Sequence, residues 1–203
     1  MNARKWWVVL VKNQMTRIWS WDKLVPVTLM RFPHQQVLKY RTMEKDGYDA
    51  VVVWIHKKDA NAANENKKAD YDLVTEFRLS APSNVLGDAG VILSSDIIKE
   101  GDLMHLTSTS KGKGYQGAMK RFHLKGWPKT HGSKFHRHVG SMGNRKPRRT
   151  MKWHPHAGHM WSETVSIKNI RVHDIVAIDG VNYVALHGSV PGALNSFVKV
   201  FFS

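Results

Sequence analysis

The residues best suited to chemistry lie between Lys111 and His159, and the chemistry they suit is contact with a polyanion. No Asp or Glu occurs from Leu103 to Ser162, and that stretch holds thirteen cations: Lys111, Lys113, Lys120, Arg121, Lys125, Lys129, Lys134, Arg137, Arg145, Lys146, Arg148, Arg149 and Lys152. The whole chain carries 31 Lys+Arg against 16 Asp+Glu, a net charge of +15, so the remainder keeps 18 cations against 16 carboxylates and +13 of the excess sits in one segment. Such a concentration calls for nucleic acid first and an anionic membrane surface second. The membrane reading lacks the amphipathic apolar face that surface binding needs.

Eight of the twelve histidines share the segment, at His105, His123, His131, His136, His138, His154, His156 and His159. Tyr115, Phe122, Trp127, Phe135 and Trp153 are spaced among the cations. A solvated basic loop is the plainer reading, but disordered linkers usually lack aromatics. Aromatics interleaved with Lys and Arg suit base stacking combined with phosphate neutralisation.

Three catalytic or cofactor motifs are suggested and declined. Gly112 to Gly117 matches G-x-G-x-x-G, but a dinucleotide fingerprint needs a following helix and an acidic residue about twenty positions on. No carboxylate appears before Glu163, so the glycines are read as letting amides, Lys111 and Lys113 approach phosphates closely. An RNA-modifying or nucleotide-dependent enzyme using this loop is the alternative. His154, His156 and His159 suggest a metal, yet a stable zinc site wants four ligands and neither thiolate nor nearby carboxylate is supplied. They are read instead as packed against or hydrogen-bonded to RNA. Ser108, Ser110 and Ser133 have no local carboxylate to orient a base. No catalytic residue, metal, cofactor or small-molecule substrate is expected.

The elements that must hold this segment lie on its flanks. Val8–Val11, Ile18–Trp21, Val25–Met30, Val37–Tyr40 and Ala50–Ile55 precede it, and Thr164–Ile167, Val172–Ile178, Tyr183–Leu186 and Phe197–Phe202 follow. These short runs, rich in Val and Ile and broken by Asp46-Gly47 and the hairpin signal Asp179-Gly180, predict strands. Ala60 to Asp72 reads at best as a surface helix or loop. The expectation is a mainly β protein: a small closed β-barrel body of residues 1–106 and 157–203, a small peripheral insertion near 57–92, and a long basic, largely irregular extension over 107–156. At 203 residues one domain is expected. No apolar run approaches the roughly 20 residues of a membrane span, and Trp6–Val11 is too short for a signal-peptide core, so a soluble, unexported chain is expected. Absence of cysteine excludes disulfides, thiolate zinc sites and a cysteine nucleophile.

Thr107-Ser108-Thr109-Ser110-Lys111-Gly112-Lys113-Gly114-Tyr115-Gln116-Gly117, followed by Lys120-Arg121, closely resembles the T-G-T-S-K-G-K-G-F-x-G…K-R signature of the universal L3 family of large-subunit ribosomal proteins. Further anchors lie in the family's order: Thr130-His131-Gly132 with His138 and Gly140-Ser141-Met142-Gly143, then Ala157-Gly158-His159-Met160, then Gly188-Ser189-Val190-Pro191-Gly192. Met15-Thr16-Arg17-Ile18 with Val25-Pro26-Val27-Thr28, and Asp46-Gly47-Tyr48-Asp49-Ala50, are similar to the bacterial branch. The resemblance implies a translation-protein type barrel and an extension that reaches through rRNA towards the peptidyl-transferase centre. It also implies early rRNA binding that helps nucleate subunit assembly, neighbouring large-subunit proteins as partners, and a cytoplasmic bacterial ribosome or an organellar one. Departures stand at Val11-Lys12-Asn13-Gln14, where a Gly-Lys-Lys-x-Gly stretch is common, at the glutamine-free tip Asn144–His156, and at Trp161, where a glycine commonly follows A-G-x-M.

Overall fold

The computed structural model describes residues 7–56, 71–78, 90–143, 149, 151–178 and 180–202. Among them the chain is mainly β. The elements are β1 (Trp7–Ser20), β2 (Lys23–Arg31), β3 (Gln35–Arg41), α1 (Met43–Asp46), β4 (Ala50–His56), β5 (Tyr71–Arg78), β6 (Leu103–Thr109), β7 (Gly114–Gln116), α2 (Ala118–Arg121), β8 (Gly158–Met160), β9 (Thr164–Ile178), β10 (Val181–His187) and β11 (Phe197–Phe202).

Two compact units emerge: residues 1–109 with 164–203, and Ser110–Glu163. In the first, β1, β11, β6, β9, β10 and β2 are hydrogen-bonded antiparallel in that order, and β2 returns to pair with β1, closing the ring. A second sheet, β3-β4-β5, belongs to the same unit.

The apolar runs are continuous rather than alternating because β1 and β11 are buried on both faces. Successive side chains of a strand point to opposite sides. Val8 and Leu10 of β1, with Val198 and Val200 of β11, join one cluster around Met30, Met104, Leu106 and Leu186. Val9 joins a second, formed with Val37, Val51, Val53, Ile55 and Phe77, on which Phe197 and Phe201 of β11 pack. Lys199, between those two phenylalanines in sequence, places its ammonium over the Phe77 ring, 5.6 Å from the centroid, and donates to the Glu76 carbonyl at 3.3 Å. β2 pairs with β1 only as far as Val11. Beyond it the Gln35 amide serves as a surrogate strand for Val9, accepting from its N–H at 2.9 Å and donating to its carbonyl at 3.2 Å. Buried backbone groups left without a partner would be costly.

Two expectations about strands are corrected. Val8–Val11 and Ile18–Trp21 belong largely to the single strand β1, which ends at Ser20, and Thr164–Ile167 and Val172–Ile178 are both parts of β9. The polar residues between the runs stay in strand because β2 pairs along β1 as far as Ser20, with a register shift between Lys12 and Gln14. The strand over Leu103–Thr109 falls inside the stretch read as basic, yet β6 carries Met104, Leu106 and Ser108 inward. Ala60 to Asp72 lies outside the described residues except for Tyr71 and Asp72, which open β5. Most of the insertion near 57–92 lies outside them too. β9 and β10 are two residues apart, at 179 and 180, and Gly180 has φ 73°.

Lys12 stands at the family departure and is buried. Its ammonium donates to the carbonyls of Val190, at 2.6 Å, and Gly192, at 3.1 Å, while the Thr28 hydroxyl donates to the Gly188 carbonyl at 2.7 Å. Gly188-Ser189-Val190-Pro191-Gly192 therefore folds into a carbonyl cradle. At Gly192, φ is 109° and a Cβ would stand 2.6 Å from Ser196 Oγ, so glycine is required there.

Candidate nucleic-acid interface

Among its described residues the unit Ser110–Glu163 contains two three-residue strands and one helical turn, the other described residues being irregular. β7 and β8 pair with Gly114 opposite Met160, Tyr115 opposite His159 and Gln116 opposite Gly158. The ribbon continues where Lys113 N–H donates to the Met160 carbonyl at 2.9 Å and Ser110 N–H to the Glu163 carbonyl at 2.8 Å. Gly117 precedes α2, a helix of four residues. The glycine pattern thus leads through a short strand into one helical turn, too short to offer the long helix of a dinucleotide fold.

Only Ala118 among the unit's described hydrophobic residues is buried. What holds the segment is hydrogen bonding to backbone. Trp127 N–H donates to the His136 carbonyl at 3.1 Å, its indole N–H to the His138 carbonyl at 2.8 Å, and His138 Nδ1 accepts from Gly140 N–H at 3.2 Å. A Cβ at Gly140 would lie 3.2 Å from the Trp127 ring. The two ends of the loop 126–140 are closed together by these contacts.

Lys111, Lys113, Lys120, Lys125, Lys129, Lys134, Arg137, Arg149 and Lys152 are exposed, as are Tyr115, Trp127, His131, His138, Trp153, His156 and His159. Arg145, Lys146 and Arg148 lie outside the described residues. Among the described residues, the ion pairs are those of Arg41 with Asp46 and Glu76, both in the other unit. The exposed cations described in this unit are thus uncommitted to any described carboxylate, which leaves them available for phosphates.

Arg121 differs. It is half-buried, its Nη1 donates to the His156 carbonyl at 3.1 Å, and its guanidinium lies 5.2 Å from the Phe122 ring centroid. A Cβ at Gly158 would come within 2.5 Å of that guanidinium. The glycine of Ala157-Gly158-His159-Met160 is the space Arg121 occupies, and the arginine ties α2 to the strand that follows the tip.

His154 is half-buried, with its ring 5.4 Å from that of His156. Among the described residues no three potential metal ligands gather. Tyr115 and His159 meet edge-to-face at 5.4 Å, and the His159 ring stacks on Trp161 at 4.7 Å and 21°. Trp161 was not among the residues singled out for binding. Its signal was the spacing from His159, two positions on, which along an extended chain returns to the same side.

The family described as Ribosomal protein L3 matches residues 74–182. The large ribosomal subunit protein uL3 of Bdellovibrio bacteriovorus is 40% identical over 200 residues, covering 93% of this chain and 89% of that protein. The uL3 of Thermosipho melanesiensis is 39% identical, with 93% and 94% covered, and that of Deinococcus radiodurans 37%, with 92% and 90% covered. Identity at this level across nearly the whole length leaves one assignment: the chain belongs to the ribosomal protein L3 family.

Proposed function

We propose that the chain is a structural constituent of the large ribosomal subunit that binds large-subunit rRNA directly, through the basic extension over 107–156. The observation that carries the reading is the segregation of charge: among the described residues, exposed cations that pair with no described carboxylate are gathered in a unit with one small buried apolar residue. Such a segment gains little from its own core and much from neutralising phosphates. The body, a small closed barrel of the translation-protein type, serves as its anchor. Family membership makes this a structural, non-enzymatic protein.

On this reading the chain joins the subunit early, helps nucleate its assembly and supports the peptidyl-transferase region through the extension. Its partners are large-subunit rRNA and neighbouring large-subunit proteins. Its setting is a ribosome of bacterial type, cytoplasmic or organellar. The site residues are the exposed cations and aromatics above together with Arg121, His154, Arg145, Lys146 and Arg148, Arg121 also holding the backbone at His156.

The test uses the pairing of Thr109 with Thr164. Because these residues face each other across β6 and β9, 110–163 can be replaced by Asn-Gly, a two-residue hairpin turn. The variant is expected to keep its β circular dichroism and lose association with large-subunit rRNA fragments. Retained rRNA affinity would place the site in the body instead.

A further inference from the structure

We infer that Trp161, backed by His159 and Tyr115, is a preformed stacking surface for an unpaired nucleotide base, with Lys111 and Lys113 beside it to hold the adjoining phosphates. This rests on the RNA-binding reading above and names what that part of the surface selects. One face of the indole lies on the His159 ring, 4.7 Å between centroids at 21°, and Tyr115 supports the imidazole edge-to-face from the paired strand. Trp161 is nevertheless 71% exposed, so a large apolar ring is held in place with area left open to water.

The backbone on both sides of it is fixed. Lys113 N–H bonds the Met160 carbonyl before Trp161, and after it Ser110 N–H bonds the Glu163 carbonyl while Ser110 Oγ accepts from Glu163 N–H at 3.0 Å. Gly112 lies against the same segment, since a Cβ there would be 3.5 Å from Ser162 Oγ and 3.8 Å from the Met160 carbonyl oxygen. Lys111 and Lys113 flank that glycine and are exposed.

A ring already stacked and anchored has lost rotamer freedom before binding, so less of the stacking free energy is lost to ordering it. The other tryptophans of the unit are less well prepared. Trp127 is anchored by its indole N–H but, unlike Trp161, has no ring stacked on it among the described contacts, and Trp153, 97% exposed, has φ 68° and no ring partner there either. Ring and ammonium groups on one ribbon suit a single-stranded nucleotide, with its base on the indole and its phosphates on the lysines. A duplex keeps its base faces stacked on one another and cannot use such a surface.

The experiment compares binding of the full chain to a short oligoadenylate and to an abasic strand of the same length, which offers the phosphates without the bases. Wild type is expected to prefer the oligoadenylate. Trp161→Ala should lower affinity for it by roughly tenfold while leaving the abasic strand unaffected, and Trp161→Phe should keep most of the preference. Lys111→Ala with Lys113→Ala should weaken both strands alike. An undiminished preference in Trp161→Ala overturns the base platform and leaves the RNA-binding reading intact, as does a wild type that binds both strands equally well. Equal losses on both strands in Trp161→Ala would make the tryptophan a structural support and also overturn it. Failure of the wild type to bind either strand overturns the RNA-binding reading and this inference with it.

Discussion

The barrel-bearing unit and the unit Ser110–Glu163 fold by different means. In the first, long antiparallel ladders enclose Val8, Leu10, Met30, Met104, Leu106 and Leu186, all fully buried, so hydrophobic burial and backbone pairing stabilise the same residues. In the second, Ala118 is the only buried apolar residue described, and shape comes from hydrogen bonds such as those of Trp127 and Arg121. The difference teaches that, if the extension binds RNA as proposed, stability and polyanion binding are housed in separate residues. Substitutions in one unit should therefore leave the property of the other nearly untouched.

Leu106→Ala presses hardest on that separation. Leu106 is fully buried in the barrel cluster, and truncation should cost about 2–5 kcal/mol of stability in urea or guanidinium unfolding. The salt dependence of rRNA binding below the unfolding transition should not change. A shift in that dependence would show that the barrel's packing and the extension's contacts are coupled.

Lys12→Met gives a smaller effect of the same kind. It removes a cation that donates to the Val190 and Gly192 carbonyls and should cost about 1.5–3 kcal/mol, since hydrogen bonds to charged groups contribute that much and the carbonyls lose their partner. The measurement is the urea midpoint together with rRNA affinity. If affinity falls while the midpoint holds, Lys12 is a contact residue and the inward geometry misrepresents its role.

The smallest expected effect on stability comes from the other side. Arg149→Ala and Lys152→Ala change exposed cations, so each should alter stability by less than about 0.5 kcal/mol. Each should flatten the log–log dependence of affinity on salt by about 0.7–0.9. An unchanged slope in both would remove these cations from the set that meets phosphate.

Much of this division was legible beforehand. The gap in carboxylates from Leu103 to Ser162 needs only reading, because net charge is additive over residue types and independent of conformation. The Val- and Ile-rich flanks announced strands by composition. β6 was harder: His105, Thr107 and Thr109 make Leu103–Thr109 look polar, and only its pairing with β9 and β11 shows that Met104 and Leu106 are core residues.

The sequence by itself determined the family, the β character of the flanks and the place of the excess charge. Those follow from residue identity and short-range pattern. Tertiary structure alone decided which cations are committed and which are available, because that depends on neighbours distant in the chain. Lys12 is turned inward by carbonyls 178 and 180 residues away, and Arg121 is seated by a glycine and a carbonyl that return after the tip. It also decided that Tyr115, His159 and Trp161 meet, since strand pairing, rather than sequence proximity, brings Tyr115 opposite His159.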